Sequence, residues 1–390
     1  GRGSRGLDPY SSGKKEPDSV MRASGAVNQT AGIVLVGTHP WNNSVFDRLP
    51  LRPLMPVAHR PLISYALSWL HDAAIQNVVV CANRETQVLQ SRLPRDVPDG
   101  MIASYQEDPM PRGAAGALRD AATSSEADTF VVVDGTAIPN VELRDLLAAH
   151  HASGAAATVV GHAAPGYGGN TQQVPSGIYV FSRAALDAVP PRGFYDIKEN
   201  LLSQLYRSGQ RVVAYAAGSA SPRVLDAPSY LAVNEWMVER LVSTGEPPEG
   251  YVRSGESLIH SGAVIAEDAV LVGPVMVGPG ARVMSGAVLV GPTSVGCDAT
   301  IGQGVLVSRS AIWRRCFLGD HSVTDRCILA DDTFLPARTE AFHAVMAANI
   351  CRESGAVPAS DAVRAAPYER LRRMGRLLSG GTPSRSPAAP

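Results

Sequence analysis

The stretch that decides the fold of the C-terminal third is residues 259–313, IHSGAVIAEDAVLVGPVMVGPGARVMSGAVLVGPTSVGCDATIGQGVLVSRSAIW. A large hydrophobic residue stands at every sixth position of it: Ile259, Ile265, Leu271, Val277, Val283, Leu289, Val295, Ile301, Val307 and Trp313. An α-helix repeats about every 3.6 residues and a strand about every two, so neither explains this period. The glycines and prolines between these positions suit tight corners. The pattern predicts a hexapeptide-repeat β-helix, a triangular prism with the recurring residues inside.

The end of the repeat carries a second expectation. The next aliphatic residue after Trp313 is Leu318, which follows five residues later instead of six. We therefore expect the hydrophobic ladder to break here, where the terminal coil and the tail begin.

Composition narrows the class of protein. The chain has 390 residues, and 45% of them are hydrophobic, which is sufficient for two cores. The net charge of -1 gives no footprint for nucleic acid, and no apolar run reaches the roughly 18 residues of a membrane span. The five cysteines are scattered without CxxC spacing, which argues against a disulfide framework or a zinc site. A cytoplasmic protein is expected.

The order of elements predicts four regions. Residues 1–29 are rich in glycine, serine and charge, and are expected to be a disordered leader. Residues 30–245 alternate buried strands with helices, which predicts an α/β, Rossmann-like domain with a mainly parallel sheet. The β-helix is assigned to residues 246–340. In the remaining tail, residues 341–390, the segment 363–378 is a candidate basic amphipathic helix, for which a solvated terminal helix is favoured over a membrane or partner anchor.

Four local motifs carry a family resemblance. Residues 51–63, LRPLMPVAHRPLI, resemble a PKPLxPVxxxPLI stretch, and residues 112–119, RGAAGALR, resemble a GTAGALR nucleotide-base loop. Residues 176–181, SGIYVF, are similar to a GIYVF strand beside the sugar, and residues 310–321 resemble an SVIGxxVxIGDG coil. These motifs belong to sugar-1-phosphate nucleotidyltransferases (NDP-sugar pyrophosphorylases) that carry a C-terminal left-handed β-helix. The chain most resembles the mannose-1-phosphate guanylyltransferase and glucose-1-phosphate adenylyltransferase branches.

The resemblance implies a fold, a reaction and a set of binding residues. Such enzymes convert a nucleoside triphosphate and a sugar-1-phosphate to an NDP-sugar and pyrophosphate, with Mg²⁺. Ligands of such sheets bind at the carboxyl ends of the strands, which here are followed by the loops after Val36 and Val133. The implied nucleotide- and sugar-binding residues are Gly37, Thr38, Arg52, Gly113, Ala114, Ala115, Gly116, Gly135, Gly177 and Tyr179.

The groups that handle phosphate and metal depart from the family pattern. The glycine-rich GGxGTRL loop is replaced by residues 36–46, VGTHPWNNSVF, in which Pro40 has no N–H to donate. The two aspartates that hold Mg²⁺ in the family match Thr136 and Val224. The PKPL lysine is Arg52, and only fifteen residues, 161–175, stand where the family has a sugar-side hairpin with a second lysine. None of these fifteen is lysine.

These losses leave the catalytic residues unknown, with Arg52, Asp134 and Asp226 as candidates and the two aspartates as candidate metal ligands. The favoured interpretation is a catalytically degenerate, sugar-nucleotide-binding regulatory or assembly subunit that needs no cofactor. The alternative is an active, divergent sugar-1-phosphate nucleotidyltransferase that uses Mg²⁺. A third hypothesis is an acyltransferase with a base on the β-helix, for which His260 and His321 are available.

The β-helix also predicts assembly. Apolar residues between the ladder positions are expected on its outer faces, where they would form a homo-oligomer or hetero-oligomer interface: Val264, Val270, Val272, Val275, Met276, Val288 and Val290.

Overall fold

The computed structural model describes residues 29–37, 44–49, 51–83, 87–108, 112–165 and 171–348. The first domain has seven main strands and a small hairpin: β1 (Thr30–Leu35), β2 (Pro56–Val57), β3 (Arg60–Pro61), β4 (Asn77–Asn83), β5 (Ile102–Asp108), β6 (Thr129–Asp134), β7 (Ala157–Pro165), β8 (Thr171–Ser182) and β9 (Val212–Ala217). Its helices are α1 (Leu62–Asp72), α2 (Gln87–Arg92), α3 (Gly113–Thr123), α4 (Leu143–Ser153), α5 (Arg183–Asp187), α6 (Ser203–Arg207) and α7 (Ala227–Ser243). The candidate helix 363–378 lies outside the described residues.

The seven main strands form one sheet in the order β5-β4-β1-β6-β8-β7-β9. Only β8 runs antiparallel to its neighbours, which confirms the predicted Rossmann-like, mainly parallel sheet. Central strands such as β6 are buried on both faces, as their unbroken hydrophobic sequence predicts. Helices α1 and α4 cover one face through residues such as Leu67 and Leu146, and α3, α5 and α6 cover the other through residues such as Leu118 and Leu205.

The second domain is a prism of three stacked sheets, which confirms the predicted β-helix. Its sheets have the orders β10-β11-β14-β17-β20-β23-β26, β12-β15-β18-β21-β24 and β13-β16-β19-β22-β25, all parallel except β10 with β11. The strands are β10 (Tyr251–Ser254), β11 (Ser257–His260), β12 (Val264–Ile265), β13 (Val270–Val272), β14 (Val275–Val277), β15 (Arg282–Val283), β16 (Val288–Val290), β17 (Thr293–Val295), β18 (Thr300–Ile301), β19 (Leu306–Ser308), β20 (Ala311–Ile312), β21 (Phe317–Leu318), β22 (Val323–Asp325), β23 (Ile328–Leu329), β24 (Phe334–Leu335), β25 (Glu340–Phe342) and β26 (Val345–Met346).

The end of the hydrophobic ladder differs from the prediction. Val277 pairs with Val295, 18 residues on, but Val295 pairs with Ile312 and Ile312 with Leu329, each 17 residues on. Ile312, and not Trp313, therefore holds the interior position, and the ladder continues through Leu335 to Met346 instead of ending. The coils lose one residue at a single corner, where 308–310 (SRS) replaces the longer 290–293 (VGPT). Arg309 makes this tighter turn with φ 41°.

Trp313 points out of the prism and joins a core that the two domains share. This core combines Phe46 and Met55 of the first domain and Tyr230 of α7 with Met276 and Trp313 of the prism. The prediction that Met276 lies on a free outer face was wrong, because its side chain is 2% exposed in this junction. It was also wrong for Val275, which is fully buried inside the prism.

Hydrogen bonds fix the junction on both sides. Trp313 donates from Nε1 to Oη of Tyr230 over 2.7 Å, and Tyr230 donates in turn to the carbonyl of Pro56. The amide of Asn234 on α7 accepts the backbone N–H of Ala58 over 3.0 Å and donates to Oγ of Ser294 in the prism over 3.1 Å. The domains are thus joined by a packed and hydrogen-bonded core. Among the described residues, no helix is long and apolar enough to span a membrane.

Candidate functional site

The candidate site lies at the carboxyl edge of the sheet, where β1 and β6 end side by side. Leu35 pairs with Asp134, and the N–H of Gly135 donates to the carbonyl of Leu35 over 2.8 Å. A Cβ on Gly135 would lie 2.8 Å from Cγ1 of Val36, so glycine is needed there to let the two chain segments approach. Gly37 is exposed at the end of this strand. Thr38 lies outside the described residues.

Asp134 is occupied by neighbours within the chain. Its Oδ1 accepts the backbone N–H of Thr136 over 2.9 Å and the hydroxyl of Thr136 over 2.7 Å. Its Oδ2 forms an ion pair with Nη2 of Arg223. Both charged side chains are a little over a quarter exposed, so the pair is partly open to solvent. A cation already neutralises the one carboxylate at the end of β6.

The two positions where the family pattern calls for aspartates lie next to each other. The N–H of Val224 donates to the carbonyl of Thr136 over 2.8 Å, and the adjoining residues Ala137 and Arg223 form an isolated antiparallel bridge. The two positions that the resemblance assigns to aspartates are therefore neighbours in the structure. Thr136 offers a neutral hydroxyl there, and Val224 is a fully buried aliphatic residue of the domain junction.

These residues do not fit a magnesium site. Mg²⁺ prefers anionic and neutral oxygen ligands in an octahedral arrangement, and here Asp134 has its oxygens engaged by Arg223 and Thr136. In the part of the chain that the structure describes, no group of three or more His, Cys, Asp or Glu side chains could hold a metal ion. The guanidinium of Arg223 instead pairs with the carboxylate of Asp134.

The other two charged candidates also have partners. Arg52 donates from Nη2 to Oδ1 of Asp47 over 2.8 Å, and its side chain is 19% exposed. Asp226 is the N-cap of α7, where its Oδ1 accepts both the N–H and the hydroxyl of Ser229. These bonds lower the pKa of Asp226, and the positive charge of Arg52 lowers it further. Arg52 and Asp226 therefore lie in one electrostatic neighbourhood, but Asp226 acts as a helix cap.

The segment matching the base-binding loop forms the start of α3. Gly113 has φ +74°, and a Cβ there would lie 2.6 Å from the carbonyl oxygen of Tyr195. The same carbonyl accepts the N–H groups of Ala115 and Gly116 over 3.0 and 3.3 Å. Ala114 is half-buried beside them. The structure thus brings Gly113 to Gly116 together with Tyr195, whose carbonyl takes up two of the N–H groups at this helix start.

The strand expected beside the sugar adjoins the Asp134–Arg223 pair. Gly177 has φ +76°, and a Cβ there would lie 3.1 Å from Cβ of Asp134 and 3.3 Å from Nε of Arg223. Tyr179, two residues on, is 6% exposed, and burial raises the pKa of its hydroxyl to about 12. The charge of Arg223 acts against that shift, and those of Asp134 and Asp196 add to it, so the phenol stays neutral.

Two further predictions concern the segment 161–175 and the histidines. Residues 161–165 belong to β7 and residues 171–175 to β8, and they pair antiparallel from Gly161–Pro175 to Pro165–Thr171. Residues 166–170 lie outside the described residues. His260 belongs to the junction, where its ring packs edge-on against Tyr251 and its Nδ1 accepts the N–H of Gly262. His321 is exposed at a prism corner with φ 59°.

Sequence reasoning missed Arg223 and Tyr195. Arg223 directly precedes Val224, so the available signal was a basic residue beside a position that lacks its expected aspartate. Tyr195 contributes only its backbone carbonyl, which no side-chain pattern marks.

Comparisons with known proteins find similarity to nucleotidyltransferases. A family model described as "Nucleotidyl transferase" matches residues 48–169. A mannose-1-phosphate guanylyltransferase of Mycobacterium tuberculosis is 22% identical over 270 residues, which cover 64% of this chain and 75% of that protein. A UTP–glucose-1-phosphate uridylyltransferase of Synechocystis is 22% identical over 308 residues, which cover 69% of this chain and 79% of the relative.

Among solved structures, HddC from Yersinia pseudotuberculosis, crystallised with GMP-PN, has a TM-score of 0.46 at 13% identity, covering 53% of this chain and 99% of that one. The matched family model spans β2 to β7, including the residue 112–119 loop, Asp134 and Thr136. This chain therefore contains a nucleotidyltransferase domain homologous to those of mannose-1-phosphate guanylyltransferases, followed by a C-terminal stack of parallel strands of the β-helix type.

Proposed function

We propose that this protein binds a nucleotide or sugar nucleotide at the carboxyl edge of its sheet without catalysing nucleotidyl transfer, and that it acts as a regulatory or assembly subunit. One observation carries the proposal: Thr136 and Val224, which the family resemblance assigns to the positions of the metal-binding aspartates, are backbone neighbours without a carboxylate, and Arg223 neutralises the nearby Asp134. Attack on an α-phosphorus needs charge neutralised on both reactants and on the departing pyrophosphate, which metal ions usually supply. Without those carboxylates, the described residues offer no set of ligands that could hold the metal ion.

An active, divergent enzyme is the alternative, and it would depend on Arg52, Asp134 and Asp226. Each of these side chains already has a partner: Asp47, Arg223 and Ser229, respectively. The two carboxylates of this set would have to leave Arg223 and Ser229 before they could bind a metal ion. That requirement favours the binding role.

The deciding experiment measures turnover and binding on the same preparation of the full chain. Each nucleoside triphosphate is mixed with mannose-1-phosphate or glucose-1-phosphate and Mg²⁺, and pyrophosphate release is followed. Calorimetric titrations with GDP-mannose and UDP-glucose run in parallel. We expect binding of a sugar nucleotide and no pyrophosphate above the protein-free control. Sustained pyrophosphate release would refute the proposal, and absence of both turnover and binding would leave a purely structural subunit.

The assembly part of the proposal commits to a second copy of this chain, packed through the β-helix. Three of the exposed large apolar side chains there lie in one sheet: Val264, Phe317 and Phe334 are 64%, 42% and 63% exposed. Phe317 and Phe334 stack with ring centroids 5.4 Å apart and an interplanar angle of 8°, forming a flat aromatic surface. Such surfaces commonly mark interfaces. Light scattering should give a dimer that Phe317→Ser with Phe334→Ser converts to monomer; a monomeric wild-type protein would contradict this part.

A further inference from the structure

Arg223 has a position and a geometry that the family pattern does not anticipate. It directly precedes Val224, whose backbone bonds to Thr136, so it belongs to the segment that should supply a metal ligand. Its guanidinium contacts the carboxylate of Asp134, as a bound cation would. We infer that Arg223 replaces the metal ion of this site as a built-in cation, and that it binds the diphosphate of a sugar nucleotide without Mg²⁺.

The donors of Arg223 are only partly used inside the protein. A guanidinium carries five N–H donors in a planar fork that matches the oxygens of phosphate. In the described residues, the only hydrogen bond of this side chain runs from Nη2 to Asp134. Its Nε is buried and has no hydrogen-bond partner there. The side chain is 27% exposed, so the guanidinium is partly open to solvent and its unused Nη hydrogens can donate to a ligand.

The surroundings hold Arg223 in place and keep space beside it. Asp134 is fixed by two hydrogen bonds from Thr136, so the ion pair anchors the guanidinium at one end. Gly177 packs against the pair, and any side chain there would start within 3.1 to 3.4 Å of Asp134 and Arg223 atoms. Because the guanidinium stays charged at every physiological pH, it supplies positive charge without a bound ion.

This inference rests on the proposed binding function for the identity of its ligand, and the test separates the two. The full-length protein is titrated calorimetrically with GDP-mannose and UDP-glucose in excess EDTA and again in excess MgCl₂. Inorganic pyrophosphate is titrated in EDTA alone, since Mg²⁺ would bind the probe itself. The variants are Arg223→Ala, Arg223→Lys and Asp134→Asn, with Arg207→Ala, an exposed arginine of α6, as the matched control. Thermal unfolding checks that each variant is folded.

We expect wild-type affinities in EDTA and MgCl₂ to agree within about twofold, and Arg223→Ala to weaken binding roughly 10- to 100-fold, the usual effect of losing a hydrogen bond to a charged group. Arg223→Lys keeps the charge but loses the fork, and should bind at an intermediate level. Asp134→Asn frees the guanidinium and should bind at least as well as wild type. Arg207→Ala should change nothing.

The outcomes test the built-in cation and the proposed sugar-nucleotide binding separately. Pyrophosphate binding that depends on Arg223, without sugar-nucleotide binding, would support the built-in cation and refute the proposed ligand. Sugar-nucleotide binding that requires Mg²⁺, or that survives in a folded Arg223→Ala protein, would refute the built-in cation and leave the binding function intact. If Arg223→Ala does not fold, the comparison uses Arg223→Lys. An affinity of Arg223→Lys that is no weaker than that of the control Arg207→Ala would then refute the inference. Wild-type protein that binds neither probe would overturn both.

Discussion

Truncating Trp313 to alanine removes a large, buried side chain from the domain junction. The indole is 3% exposed, lies in the core shared by the two domains, and packs edge-on to Tyr230 with ring centroids 5.9 Å apart. Replacing a buried tryptophan by alanine typically costs about 3 to 5 kcal/mol. The lost hydrogen bond leaves no new unpaired donor, because the hydroxyl of Tyr230 still donates to Pro56. We therefore expect the free energy of unfolding to fall by about 4 kcal/mol.

The assay is equilibrium unfolding in urea followed by far-ultraviolet circular dichroism. Because both domains contribute to one core, we expect the wild type to unfold in a single transition and Trp313→Ala to separate into two. Trp313→Phe retains most of the buried area and loses the hydrogen bond, so it should cost about 1 to 2 kcal/mol.

The matched control is Tyr206→Ala, which removes an aromatic ring that is 78% exposed. Its effect should stay below about 1 kcal/mol, since most of this ring lies in solvent. If Trp313→Ala is no more damaging than Tyr206→Ala, or if it leaves the transition single and unshifted, the two domains do not share the core that contains Trp313.

Other features lead to shorter predictions. Asp226→Ala should lower the free energy of unfolding by about 1 kcal/mol through loss of the α7 cap and leave calorimetric ligand affinity unchanged; altered affinity would indicate a binding role. Gly113→Ala should cost about 2 kcal/mol or more in thermal unfolding, since φ is +74° and a backbone carbonyl lies 2.6 Å from the new Cβ, whereas Gly100→Ala, at φ +81° with open space, should cost only about 1 kcal/mol. Burial lowers the pKa of His59 and His150 to about 4, against 6.5 when exposed, so the unfolded chain takes up protons first. The neutral histidines should make their full contribution to the free energy of unfolding above pH 6.5, and each contribution should decline by about 2 to 3 kcal/mol as the pH falls toward 4. Asparagine at both sites should make the urea midpoint of unfolding less dependent on pH across that range.

Residue patterns predicted the architecture well because long-range repetition and burial dictate it. The period of six marks residues such as Val283, Leu289 and Ile301, which must fill the prism interior, and the unbroken apolar run of β6 marks a strand buried on both faces. The shift to 17-residue coils escaped prediction because it depends on a corner, where Arg309 adopts a left-handed conformation that its side chain does not signal. Trp313 fitted the period by number alone, one position beyond the interior.

The sequence predicted that the candidate site lacks the family's two aspartates, but it did not predict the ion pair that stands beside those positions. Aligning motifs placed Thr136 and Val224 at the two aspartate positions, and the structure brings the two residues into contact. The pairing of Asp134 with Arg223 joins residues 89 positions apart, and it depends on how the segment before α7 returns to the sheet. The sequence around either residue carries no information on this long-range contact.

The packed junction has a consequence for how this protein can be divided. The segment from Met55 to His59 begins three residues after Arg52, and α7 and the prism hold it through Tyr230, Asn234 and Tyr251. A gene fragment that ended after α7 would expose the apolar side of that helix and release the loop beside the candidate site. The first domain is therefore not a portable module, and a partner that binds the prism would also be attached to the residues that hold this loop.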